Sequence, residues 1–350
     1  MKFSGIICLC LTLTACGSGA SVEKISADEN IGNILEDQSF VFVNGSDVDG
    51  DSEITMRQYF NGEEKYIRVT NNAFEEGYPS WSPDGSQLIY VSDEDGDPEI
   101  LVIGVDGKEL RQLTYNEAVD IEASWSPDGK RIVFSSDRDA DSEIFVMNSD
   151  GSGLIQLTQN LTPDMDPIWS PNSLEVLFTS IDETVGNSDL FVAGLNGSGS
   201  RQLTFSDGGD VWPAWSPDGE SIVFVSNRDG DSDLFVIQRD GSGLRQLTFN
   251  DVADAWPAWS PDGNQIAYVN LADGLGEVFV MNADGSEQRR VTKDEMVDTY
   301  PQWTPNGRGI VVISMLDGKY DLVAVDPELG ARTLVASNVV FNRRAFDISN

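Results

Sequence analysis

Histidine is absent from all 350 residues, and cysteine is absent beyond residue 16. The first absence removes Ser-His-Asp and Cys-His catalysis and every histidine-ligated zinc or iron site. The second leaves neither a disulfide nor a free thiol downstream of Cys16. Basic residues are scarce as well, 22 against 59 acidic ones, for a formal charge of −37. Such a surface repels nucleic-acid phosphates and anionic headgroups, which excludes nucleic acid as a partner and leaves the membrane reachable only through an anchor. It attracts cations or a basic protein face, and that attraction weakens with salt. The sequence also has no Gly-rich phosphate loop, cysteine cluster or nucleophile elbow.

Cys8 and Cys10 fall in the apolar run Gly5–Thr14 behind Lys2, too short for a membrane span and suited to the core of an export signal. Leu13-Thr14-Ala15-Cys16 resembles the bacterial lipobox. That likeness implies a signal peptide over residues 1–15, cleaved before Cys16, and acylation of Cys16. More than one acyl chain on a residue anchors it stably. Gly17 after the cysteine resembles the outer-membrane sorting pattern of Gram-negative lipoproteins. Residues 16–38 carry little apolar periodicity and form the lipidated cysteine with a flexible tether.

What the chain does contain is one phrase written six times. Trp-Ser-Pro-Asp-Gly stands at Trp81–Gly85, Trp125–Gly129, Trp215–Gly219 and Trp259–Gly263, with altered copies beginning at Trp169 and Trp303. The steps between tryptophans are 44, 44, 46, 44 and 44 residues, which fits a four-stranded propeller blade. Within the copy at Val211, a short strand ends at Trp215 and a Pro-Asp-Gly turn follows. Two strands, Ser221–Ser226 and Asp233–Ile237, are apolar on both faces, as sheets stacked between sheets require. A fourth strand carries Arg245-Gln246-Leu247-Thr248, and Arg-Gln-Leu-Thr also occurs at 111–114 and 201–204.

The ends fix the blade count. Residues 39–70 hold three strands with no Trp-Ser-Pro-Asp-Gly strand ahead of them, and Ala345–Asn350 aligns with Ala258–Gly263. The last strand is therefore expected to complete the first blade. The fold class is all-β, a seven-bladed β-propeller of four-stranded antiparallel blades over residues 39–350. The alternative is six blades with 39–70 packed outside.

These repeats, with the Ser-Asp-Arg-Asp loop at 136–139 and Ile144-Phe145-Val146-Met147, resemble the TolB-like β-propeller repeats of bacterial envelope proteins. The resemblance implies an envelope protein that binds partners, and it implies an acidic channel suited to calcium.

Five residues before each tryptophan stands a carboxylate: Glu76, Asp120, Asp164, Asp210, Asp254 and Asp298. In a propeller this is the entry to the innermost strand, so the six are expected to circle one mouth of the channel as candidate ligands for Ca²⁺. Three residues before the tryptophan stand Tyr78, Trp212, Trp256 and Tyr300, with Glu122 and Asp166 in the other copies. Aromatic rings beside carboxylates suit a partner's basic or apolar segment, or a sugar ring. The repeated tryptophans themselves are assigned to packing. The loops at 47–53 and 93–99 are rich in Asp, but they lack the glycine, glutamate and helices of an EF-hand, and turn chemistry accounts for their Asp-Gly pairs.

Two functions fit this pattern. One is a monomeric, lipid-anchored interaction module of the outer membrane facing the periplasm, without chemistry of its own. The other is a glycan binder or a carboxylate- or metal-dependent carbohydrate-active enzyme. Without histidine its acid and base would have to come from the carboxylate ring.

Overall fold

The computed structural model describes residues 35, 38–45, 52–60, 63–195, 199–340 and 346–349. The expected signal peptide, Cys16 and nearly all of the expected tether lie outside the described residues. Seven sheets, each of four antiparallel strands, succeed one another along the chain. Blade 5 shows the plan. Asp210–Trp215 is innermost, followed outward by Ser221–Ser226, Asp233–Gln238 and the short Arg245–Gln246. The innermost strands of the other complete blades are Glu76–Trp81 (blade 2), Asp120–Trp125 (3), Asp164–Trp169 (4), Asp254–Trp259 (6) and Val297–Trp303 (7).

Blade 1 is composite. Ser39–Gly45, Ser52–Phe60 and Glu63–Arg68 supply three strands, and Phe346–Ser349 pairs with the first of them to supply the innermost. The ring is thus closed by both ends of the chain, and the six-bladed alternative does not hold. The register refines the sequence alignment by two residues. Phe40, the counterpart of Ile266, faces Ile348, whereas Ile266 faces Trp259. Ile348, rather than Phe346, therefore stands where the other blades place tryptophan. Asp347 ties this strand to blade 2, its Oδ2 accepting from the Trp81 N–H at 2.8 Å and the Ser80 hydroxyl at 3.1 Å.

Most of the repeated residues make recurring bonds. In Trp-Ser-Pro-Asp-Gly, the Ser82 hydroxyl donates to Asp84 Oδ1 (2.7 Å) and accepts from the Gln87 N–H (2.9 Å), while Gly85 turns at φ +69°. A Cβ on Gly219 would meet Pro171 of the preceding blade, so these turns stack around the ring. The indole N–H groups of Trp169, Trp259 and Trp303 each donate at 3.2 Å to a carbonyl of the preceding innermost strand.

In Arg-Gln-Leu-Thr, Arg245 donates to the Asp284 carbonyl of the next blade (2.6 Å), and Gln246 donates to Asp229 of the acidic loop (2.6 Å). The Leu247 N–H extends the ladder to Leu234 O, and Thr248 Oγ1 accepts from the Leu234 N–H at 2.9 Å. The middle strands are buried on both sides: every residue of Ile222–Val225 and Leu234–Ile237 is at most 5 % exposed. Burial of apolar surface between blades is the main stabilising force.

Candidate functional site

Two rings of side chains arise from the innermost strands. The first begins the strands, at Glu76, Asp120, Asp164, Asp210, Asp254 and Asp298. The structure sets these six at the seams between blades and away from any open rim, with Glu76 5 % exposed and the other five fully covered. Each lies against an acid near the start of the third strand of the preceding blade, and this burial of paired acids raises several pKa values. Burial, with Glu53 adding repulsion, pushes Glu76 up to about 7. Burial pushes Asp254 up to about 6, with Asp233 adding to it.

Most of these seams have an internal remedy. Arg138 chelates Asp120 at 2.8 and 2.9 Å, and Arg228 chelates Asp210 at the same distances. Arg332 holds Asp298 through Oδ1 and Oδ2. Glu76 accepts from the side-chain amide of Asn72 at 2.7 Å. Asp254 accepts from Asn250 (2.9 Å) and Asn270 (2.7 Å). Asparagines at 72, 116 and 160 each bridge a seam, giving the backbone N–H to one acid and the side-chain amide to the other. Sequence reading missed these seam partners, although the Ser-x-Arg spacing at 136–138 and 226–228 was a visible signal. Among the described residues one triplet of acids, Asp229, Asp231 and Asp233, brings ligand oxygens within 4.8 Å of one another. Gln246 already bonds Asp229 and Asp233, and Thr248 bonds Asp233.

The second ring lies two residues further along. Tyr78, Glu122, Asp166, Trp212, Trp256 and Tyr300 all have left-handed backbone, with φ between +50° and +61°. At each, the pairing with the second strand skips, as between Val211 and Ala214, so the residue sits on a β-bulge. Proline follows in five of the six strands, where a bulge spares the lost N–H. Left-handed backbone costs an ordinary residue about 1–2 kcal/mol, and such outliers gather at functional sites.

The second ring is uneven. Trp212 and Trp256 lie 5.4 Å apart by ring centroids, and Trp256 and Tyr300 4.5 Å, so blades 5 to 7 present a continuous aromatic arc of half-buried rings. In blades 3 and 4, Glu122 Oε2 accepts from the Asp166 N–H at 2.8 Å and from the Ser135 hydroxyl at 3.0 Å, making an acidic arc.

The sequence profile described as "TolB beta propeller domain" matches residues 48–182, 164–256 and 253–344. The chain belongs to the TolB β-propeller family. Among solved structures, TolB from Acinetobacter baumannii is similar at 21 % identity and TM-score 0.54, over 73 % of this chain and 63 % of that one. An oligogalacturonate lyase in complex with manganese is similar at 14 % identity and TM-score 0.67, over 87 % and 86 %. A puromycin hydrolase is similar at 14 % identity and TM-score 0.71, over 88 % of this chain but 53 % of that one. At these identities the likeness is one of fold, and that fold occurs in TolB, in a lyase and in a hydrolase alike. No curated protein sequence matches the chain. Among the described residues no helix is long and apolar enough to cross a membrane.

Proposed function

We propose that this TolB-type propeller is an envelope interaction module that performs no chemistry and takes a partner's basic or apolar segment on the ring of Tyr78, Trp212, Trp256 and Tyr300. The observation that carries the reading is the left-handed ring itself. Six bulky or charged residues hold a costly backbone conformation at equivalent positions: three form an aromatic arc, two an acidic pair, and Tyr78 stands in blade 2. Rigid aromatic rings bury large area at low entropic cost, while the half-buried Asp166, above the covered Glu122, favours Lys or Arg on the incoming segment. The absence of histidine, together with carboxylates committed to seam bonds, favours binding over acid–base chemistry.

Lipidation at Cys16 holds the module to the outer membrane on its periplasmic side, and the tether lets it reach its partner. Crosslinking in intact cells, followed by mass spectrometry of captured neighbours, tests the interface. Replacing Trp212 and Trp256 with alanine should abolish capture, and an unchanged set of neighbours would exclude this ring as the interface. Cys16→Ser should release the protein from membranes, and continued sedimentation with them would remove the anchor. The stacked rings would also suit a sugar. Retention on an immobilised oligosaccharide, without any protein captured, would shift the reading to a glycan binder.

A further inference from the structure

We propose that the seam between blades 3 and 4 binds one hard divalent cation, with Glu143 and Asp164 as its charged ligands. Both residues are fully covered. Asn160 spans them, its N–H meeting Glu143 Oε1 at 2.6 Å and its amide meeting Asp164 Oδ2 at 2.8 Å. The remaining oxygens, Glu143 Oε2 and Asp164 Oδ1, have no hydrogen-bond partner of full geometry, although the hydroxyls of Ser180 and Thr158 stand close enough to Asp164 to favour its charged form.

The neighbouring blades show what is missing. In blade 3, the guanidinium of Arg138 lies over Phe134 and Phe145, 5.4 and 4.6 Å from their centroids, and chelates Asp120. In blade 5, Arg228 lies over Phe224 and Phe235 at 5.6 and 4.8 Å and chelates Asp210. Blade 4 keeps the phenyl pair, with Phe178 and Phe191 stacked at 5.7 Å, and it keeps Asp164. The position that holds arginine in the other two blades, four residues after the first phenylalanine, is here the exposed Asp182.

A neutral remedy also exists elsewhere in the ring. Between blades 5 and 6, Gln246, Thr248, Asn250 and Asn270 occupy all four oxygens of Asp233 and Asp254. The blade 3–4 seam has no arginine and only part of the neutral set, Asn160 serving one oxygen of each acid. Two buried acids without counter-charge or full hydrogen bonding are strongly unfavourable, and a bound cation removes that cost. Thr162 and Ser180, whose hydroxyls are 3.1 Å apart beside Asp164, add neutral oxygens. Two carboxylates with neutral oxygens and water make a donor set for Ca²⁺. This inference rests on the seam alone and is independent of the aromatic ring.

The test uses the full chain at pH 7.5, stripped with a chelator and then titrated with Ca²⁺ by calorimetry and thermal melting. One ion should bind and raise Tm by roughly 5 °C at saturation. Asp164→Asn and Glu143→Gln should lose the shift, while Asp231→Asn, in the acidic loop of blade 5, should keep it. Asp182→Arg restores the internal cation of blades 3 and 5. It should melt higher than the wild type in chelator and no longer respond to Ca²⁺, which decides the matter even if an acid variant fails to fold. A wild type indifferent to Ca²⁺, as a proton shared between the acids would make it, overturns the proposal. So does a shift that survives Asp164→Asn or Asp182→Arg, or one lost with Asp231→Asn.

Discussion

The seams and the left-handed ring stand two residues apart on the same strands, yet they follow opposite rules. At the seam the residue type barely changes: an acid in all six copies, covered by protein and met by an arginine or by neutral donors. At the ring the backbone is constant and the side chain varies, from Tyr78 to Glu122 to Trp212. A position that every blade must solve in the same way serves the assembly of blades. A position where the backbone is held at a cost while the side chains differ serves something that each sector meets differently. The contrast separates scaffold from surface within a single sequence.

Closure of the ring should show the largest effect. Deleting residues 343–350 removes the strand that pairs Phe40 with Ile348 and Val41 with Asp347, along with the Asp347 bonds to blade 2. Blade 1 then has a bare edge beside the core residues Phe40, Val41 and Phe42, and the chain should lose its cooperative melt or aggregate. A truncated protein that melts like the full chain would show that the seams on either side of blade 1 contribute little.

Next in size is a single seam. Arg228→Met keeps much of the side-chain volume over Phe224 and Phe235 but leaves Asp210 buried without its charge partner. A loss of about 3–5 kcal/mol is expected in denaturant unfolding. A loss below about 1 kcal/mol would mean that the seam arginines are ornaments and the contrast is misdrawn.

Much of this was legible in the residues because a propeller writes its fold in repeats. The tryptophan spacing gave the blades, and the two-sided apolar runs gave strands packed on both faces. The three-strand start beside a lone final strand gave the closure. The register of that strand was not legible, because Phe346 resembles tryptophan more than Ile348 does, and only pairing with Phe40 decides between them. The acids were found but set on an open rim, since spacing locates a residue along a strand without saying whether the next blade covers it. The bulge was hidden for a similar reason. An aromatic residue before proline reads as extended strand, and the left-handed turn at Trp212 or Tyr300 appears only in the skipped pairing.

The seams should also make stability depend on pH. Glu76, at about 7 in the fold, and Asp254, at about 6, hold their protons more tightly folded than unfolded. Stability from these groups is complete below the ordinary carboxylate range near pH 4.5 and is lost as pH rises through 7. Each pKa unit is worth about 1.4 kcal/mol, so Glu76 alone accounts for about 3 kcal/mol of that slope. The protein should therefore melt higher at pH 5 than at pH 8, and Glu76→Gln should flatten the difference. If the melt instead rises steadily from pH 5 to 8, the seam acids are ionised without penalty.

The smallest effect carries the sharpest sign. In an ordinary strand, glycine is worse than alanine by about 0.5–1 kcal/mol, because it has more backbone freedom to lose. At Trp212 the backbone sits at φ +52°, where alanine keeps the left-handed penalty and glycine does not. Both substitutions forfeit the same contact with Trp256, so the difference between them isolates the backbone. Trp212→Gly should therefore be the more stable of the two by about 1 kcal/mol, reversing the usual order. At Val223, in the second strand of the same blade and fully buried, the usual order should return, with Val223→Gly less stable than Val223→Ala. Finding alanine better at both positions would mean that the ring carries no backbone strain, and strain is what distinguishes it from the seam.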